Sequence, residues 1–141
     1  MSNSTSAPRP WDIESARSLY NIHRWGAKYF DINDEGHVVA RPLQDAGVAV
    51  DLTDVIEEAK ARGLKFPLLI RFQDILRHRV ESLNQSFRNA IAEYGYRGRY
   101  RGVFPIKVNQ LREVVEEILD AGKPFDFGLE VVMNHDLMCV V

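Results

Sequence analysis

The chain has a single cysteine, Cys139, which excludes an internal disulfide and a four-thiolate zinc site and suits a reducing compartment. It contains no apolar run approaching the roughly 18 residues that a membrane-spanning helix requires. Neither charge sign dominates. Eighteen Lys and Arg against 20 Asp and Glu leave a net charge of −2, which gives no bulk attraction to nucleic acid or an acidic membrane. No glycine-rich phosphate loop is present, and His23, His37, His78 and His135 show no metal-ligand spacing with one another or with Cys139. Residues Met1 to Pro10 lack the apolar centre of a secretory signal, and Arg9 alone does not make a transit peptide. Their Ser, Asn, Thr, Ala and Pro composition is that of a disordered tail, and a cytosolic location is the default expectation.

What is present is ordinary globular composition, 45% hydrophobic and 27% charged over 141 residues, the length of one domain. Trp11 to Tyr20 predicts a short helix. Ala27 to Asn33 alternates and is rich in aromatic and β-branched residues. Asn33-Asp34-Glu35-Gly36 supplies a turn, and His37 to Arg41 returns as a second strand, which together predict a hairpin. Pro42 to Val50 reads as a connection. From there the period changes. Asp51 or Thr53 can cap a helix with Leu52, Val55, Ile56 and Ala59 on one side, ending near Gly63. Phe66 to Phe72 is a nearly continuous apolar run, expected to be a buried strand. Asp74 can cap the next helix, whose stripe runs through Leu76, Val80, Leu83, Phe87, Ala90, Ile91 and Tyr94 before Gly95 stops it. Arg101 to Val108 is the next expected strand. A helix through Leu111, Val114, Val115, Ile118 and Leu119 closes at Gly122, and a strand over Phe125 to Val131 follows. Asn134 is expected to begin a further helix. Strand, helix, strand, helix, strand is the pattern of parallel βαβ units.

Lys107 is the one cation in the apolar run Gly102-Val103-Phe104-Pro105-Ile106-Lys107-Val108. Burial disfavours the charged form of lysine, and a neutral lysine is a nucleophile suited to forming a Schiff base with an aldehyde. The alternative is a strand-end lysine whose stem lies on the core while its ammonium reaches water. Strict alternation places Val103, Pro105, Lys107 and Asn109 on one face and Phe104, Ile106 and Val108 on the other.

Phe104-Pro105-Ile106-Lys107-Val108-Asn109-Gln110 resembles the cofactor-lysine motif of the biosynthetic arginine decarboxylases, pyridoxal-phosphate enzymes with a barrel of the alanine-racemase type. The resemblance is collinear from about Trp11 to Glu130. It takes in Tyr20-Asn21-Ile22, Trp25-Gly26-Ala27-Lys28-Tyr29-Phe30-Asp31-Ile32-Asn33 and Gly36-His37-Val38-Val39-Ala40-Arg41-Pro42. It continues through Pro67-Leu68-Leu69-Ile70-Arg71-Phe72 with Asp74-Ile75-Leu76, then Tyr96-Arg97-Gly98-Arg99-Tyr100-Arg101-Gly102, and Phe127-Gly128-Leu129-Glu130.

The resemblance implies an α/β fold: an N-terminal β-hairpin followed by the first βα units of a TIM-type (β/α)8 barrel, incomplete in this chain. Residues 1–10 would be the tail. Residues 11–50 would be a helix and hairpin belonging to a β-domain of the full enzyme, and residues 51–141 the first three strands of the cofactor-binding barrel. A complete barrel needs about 250 residues, so the isolated chain is expected to be inactive. The implied reaction is decarboxylation of L-arginine to agmatine and CO2, in polyamine and spermidine biosynthesis. Lys107 would be catalytic, linked as a Schiff base to pyridoxal 5'-phosphate. Glu130, at the end of the third strand, would be an acidic residue near the cofactor lysine, or else a glutamate exposed in a loop. Arg71 would point into the site or form a structural ion pair. Family members are homo-oligomers and also use Mg2+, for which these residues show no site.

After Glu130 the family usually continues with small residues and a Ser-Lys pair. Here Val131-Val132-Met133-Asn134-His135-Asp136 stands instead, before Leu137-Met138 restores the match. Two further readings follow. One is a non-catalytic remnant or fragment lacking a complete site. The other is a small RNA-binding module built on the basic and aromatic run Tyr96 to Arg101, with Arg97, Arg99 and Arg101 as its cations.

Overall fold

The computed structural model describes residues 10–131. They form two compact units, divided between Leu69 and Ile70. The expected tail to residue 9, the departure from Val132 to Asp136 and the helix expected from Asn134 lie outside the described residues.

The first unit begins with α1 (Ile13–Leu19), whose first turn is capped by Asp12, with Oδ1 accepting from Ser15 N at 2.6 Å. The single turn α2 (Ile22–Trp25) leads into the antiparallel strands β1 (Phe30–Ile32) and β2 (Val38–Ala40), which pair as Phe30 with Ala40 and Ile32 with Val38. This is the expected hairpin. Asn33 closes its turn, its side-chain Oδ1 accepting from His37 N at 2.8 Å and its carbonyl from Gly36 N at 3.1 Å, and Gly36 sits at φ +84°. A third short strand, β3 (Val50–Asp51), adds to β2 from the stretch expected to be only a connection. Ala16, Ile22 and Ile32 form the buried centre, with Ile13 and Phe30 packed on them. Arg17 ties α1 to β1 by donating from Nε to Asp31 Oδ1 at 3.0 Å and from Nη2 to Ile32 O at 2.6 Å.

Asp51 then starts α3 (Leu52–Ala61), its Oδ1 accepting from Thr53 N at 2.8 Å. Leu52, Val55, Ile56 and Ala59 are all half-buried, as their spacing requires. Gly63, at φ +79°, lets the chain leave the helix.

The second unit holds the long helix α4 (Gln73–Glu93), the strand β4 (Val103–Pro105), helix α5 (Arg112–Gly122) and strand β5 (Gly128–Glu130). Strands β4 and β5 are parallel, pairing Val103 with Gly128, Phe104 with Leu129 and Pro105 with Glu130. That makes β4–α5–β5 one βαβ unit, as the alternation indicates. Val80 of α4 and Ile118 and Ala121 of α5 form the core, with Leu76, Phe104, Val114 and Phe127 packed against it. Arg77 clamps the two helices, reaching Asp120 at 2.6 Å and Glu117 at 2.7 Å.

Three expectations are corrected. Phe66 to Phe72 forms no strand; Phe66 and Leu69 are exposed, and a strand requires a backbone partner that this segment lacks among the described residues. Asp74 does not cap α4. The helix already begins at Gln73, its cap position is Phe72 without a side-chain bond, and Asp74 is an acid within the first turn. The strand expected over Arg101 to Val108 ends at Pro105, and Ile106–Val108 is a turn of 3-10 helix.

Candidate active site

Lys107 lies in the middle of that 3-10 turn, directly beyond β4, and its side chain is exposed. The two-residue alternation that assigned it to the face of Val103 and Pro105 therefore applies only as far as Pro105. Up to that point it holds in part: Phe104 packs on the helical core while Val103 is 54% exposed. Within the described residues no carboxylate lies within ion-pair distance of Lys107 Nζ.

Glu130 is the last residue of β5 and stands opposite Pro105, two residues before Lys107. The parallel pairing thus delivers Lys107 and Glu130 to the C-terminal ends of neighbouring strands. Glu130 is exposed.

The local sequence explains why the chain turns here. Pro105 offers no N–H to extend the ladder. Two residues after Lys107, Asn109 Oδ1 accepts from Leu111 N at 3.0 Å, and Leu111 is the cap residue of α5. Leu111 O in turn accepts from Val114 N and Val115 N, each at 3.0 Å. The lysine turn is therefore fastened to the start of α5 by a side chain. Sequence reasoning missed this role for Asn109. The available signal was an Asn two positions ahead of the apolar cap residue of a helix.

Behind the site, β4 enters through a tight contact. A Cβ placed on Gly102 would lie 2.1 Å from Phe127 Cε2, and one on Gly122 would lie 2.4 Å from Phe127 Cβ. Phe127 is wedged between the residue preceding β4 and the last residue of α5. Backbone bonds close the same junction: Phe127 N donates to Gly122 O at 3.2 Å and Gly128 N to Gly102 O at 3.0 Å.

Arg71 is exposed two residues before α4, and the structure does not bring it to Lys107 through any strand. In the basic and aromatic run, Tyr100 stacks on Phe87 with ring centroids 3.8 Å apart, and Arg101 reaches Asp126 at 3.5 Å. One stacking face and one cation of that run are thus engaged within the fold. Two surface hollows, of about 360 and 260 Å3, are lined by neither Lys107 nor Glu130. Among the described residues no group of three or more His, Cys, Asp or Glu side chains is placed to hold a metal, and no helix is long and apolar enough to cross a membrane.

The exposed amine of Lys107 is open to an aldehyde, with a carboxylate on the adjacent strand. That donor set fits the aldehyde end of pyridoxal phosphate. No phosphate cradle accompanies it in the described residues.

No family model matches the chain. Similarity to individual proteins is extensive. The chain is 48% identical over 128 residues to a biosynthetic arginine decarboxylase of Gloeobacter violaceus, covering 91% of this chain and 20% of that protein. The same-named protein of Bacteroides thetaiotaomicron is 47% identical over 133 residues, covering 94% of this chain and 21% of the relative. A Prochlorococcus marinus relative of that name is 46% identical over 130 residues. Among solved structures, the biosynthetic arginine decarboxylase of Campylobacter jejuni superposes with a TM-score of 0.68 at 33% identity, covering 78% of this chain and 18% of that one. The chain spans about a fifth of the length of the curated relatives it matches.

Proposed function

We propose that this chain, a homologue of the biosynthetic arginine decarboxylases along about a fifth of their length, is the lysine-bearing portion of such an enzyme. The reaction would be conversion of L-arginine to agmatine and CO2, feeding polyamine synthesis. The observation that carries this reading is the identity of 46–48% over nearly the whole chain. The parallel β4–α5–β5 unit supports a barrel of (β/α)8 type, of which these residues would supply the first units.

When bound, pyridoxal phosphate supplies an electron sink for the charge left on the substrate carbon as CO2 departs. The chain's own residues do the rest. Lys107 would hold the cofactor at the C-terminal end of β4 through Nζ, as a Schiff base to the aldehyde carbon formed with loss of water. Released from the cofactor, Lys107 Nζ would be the amine at the strand end available to move a proton. Glu130, at the end of the neighbouring strand β5, would supply a carboxylate to the same edge of the site. The 3-10 turn and α5 hold the backbone of Lys107 just beyond the strand end. A Mg2+ requirement and assembly into homo-oligomers are part of the same proposal by relationship alone.

A second reading is a non-catalytic fragment. It is favoured by the exposure of Lys107, whose amine has no carboxylate within ion-pair distance among the described residues.

The test is borohydride trapping with pyridoxal phosphate, followed by peptide mapping. Stoichiometric label confined to Lys107, lost in K107A, supports the first reading, and arginine decarboxylation is then assayed. Label spread thinly over Lys28, Lys60, Lys65, Lys107 and Lys123 supports the second.

A further inference from the structure

We propose that Asn109 is a positioning residue for Lys107, acting through the backbone N–H of Leu111; the inference rests on Lys107 being the cofactor lysine. Lys107 sits in a single 3-10 turn that begins where the β4–β5 ladder ends. Such a turn has poor hydrogen-bond geometry and little stability of its own. Its upstream end is held by the pairing of Pro105 with Glu130. Its downstream end needs a second anchor, because Val108 is 64% exposed and contributes little packing.

Asn109 provides that anchor. Its backbone is extended, at φ −157° and ψ 114°, so the turn stops there. Its Oδ1 accepts from Leu111 N at 3.0 Å, satisfying one of the amides at the N-terminal end of α5. Helix α5 is itself well anchored, with Ile118, Ala121 and Gly122 buried and Arg77 bound to Glu117 and Asp120. The backbone of Lys107 is thereby tied to a fixed helix across a short bridge, and the Asn109 carboxamide oxygen is a side-chain link in it. A residue without an acceptor at position 109 leaves Leu111 N without this partner and frees the backbone between Pro105 and Leu111.

The experiment compares the 141-residue chain with N109A and N109D, because aspartate keeps an acceptor at Oδ1. Two readouts are taken on each protein: hydrogen exchange of the Leu111 amide, and the rate of pyridoxal-phosphate trapping at Lys107 relative to Lys28 and Lys60. Expected in N109A is faster Leu111 exchange and slower relative trapping at Lys107, each by about tenfold, the scale of one lost hydrogen bond. Amides of Val80 and Ile118 should keep their parental rates, and N109D should restore both readouts. A merely structural role would alter exchange throughout the unit without changing the ranking of the lysines. Parental Leu111 exchange in N109A overturns the proposal, as does an N109D protein that labels as poorly as N109A. If the parent chain shows no preference for Lys107, the reading of that lysine fails and its positioning by Asn109 fails with it. Altered Leu111 exchange in N109A would then show that the hydrogen bond exists without that purpose.

Discussion

Substitution of Gly102 by alanine should destabilise the second unit, and the cause should be the ring of Phe127. An alanine Cβ at this position falls 2.1 Å from Phe127 Cε2 and 2.5 Å from Cδ2. Carbon atoms in favourable contact stand roughly 3.5–4.0 Å apart, so the ring or the strand must move by more than an ångström. The ring has little room to retreat, because its Cβ already closes against Gly122. Overpacking of this kind costs about 1–3 kcal/mol. Against it stands a gain of about 0.4–1 kcal/mol from the lower chain entropy of unfolded alanine. The expected net loss is about 1–2 kcal/mol. Removal of the ring tests the cause. F127A alone should cost about 2–3 kcal/mol, below the usual range for a fully buried phenylalanine because this ring is only half-buried. In the F127A background G102A should become neutral or slightly stabilising. The assay is urea unfolding by far-UV circular dichroism, with peptide-resolved hydrogen exchange to locate the effect. Tryptophan fluorescence is a poor choice, since Trp11 and Trp25 both belong to the other unit. An equal loss from G102A with and without the Phe127 ring would refute the steric account. Because Gly102 immediately precedes β4, the same substitution should also lower selective trapping at Lys107.

Two other perturbations have defined outcomes. The hydrogen bond from Arg77, with further help from Lys123, holds the Asp120 carboxyl down at about 2 against an ordinary 3.8. Because the folded-state value is depressed, its contribution is complete above the ordinary value and fades as pH falls from 3.8 toward 2. D120N should therefore shrink the difference in urea midpoint between pH 6 and pH 2.5, and an unchanged difference would contradict the role of this pair. Partial burial raises the Asp51 carboxyl, but hydrogen bonds from His37 and Thr53 outweigh it and hold the group below its usual range. Its contribution likewise belongs to neutral pH and is lost in acid. D51A should lower helicity and melting temperature more than H37A does, because it removes the α3 cap together with the His37 and Asn33 contacts; equal effects would show that the cap matters little.

Most of the helices were legible because their signals are local. The stripe through Leu52, Val55, Ile56 and Ala59 and the glycines after α3 and α4 depend only on neighbours a turn away. The parallel β4–β5 pair was legible for a related reason, since one helix of ordinary length joins two apolar runs. Phe66 to Phe72 was misleading because apolar composition does not supply a backbone partner. Lys107 was misjudged in its local conformation because alternation continues in the sequence past Pro105 while the ladder does not. Strand β3 was missed because two residues carry no period, and its pairing with β2 comes from the fold. At the candidate site, Lys107 and Glu130 could be named from the sequence, whereas the Asn109 bridge and the Phe127 wedge exist only as distances.

The carboxylate of Asp51 serves three partners in two chain segments at once. Oδ2 accepts from Asn33 Nδ2 at 2.8 Å and lies 2.9 Å from His37 Nδ1, both at the hairpin turn, while Oδ1 accepts from Thr53 N. The hairpin cannot release this carboxylate without also disturbing the first turn of α3. Opening of either element should thus be felt by the other, and the amides of Thr53 and His37 should exchange in one cooperative event. The sequence separation is only 14 residues from His37 to Asp51, so closing this knot costs little loop entropy. It is well suited to form early, giving residues 33–53 a common core of order before the rest of the first unit condenses around it.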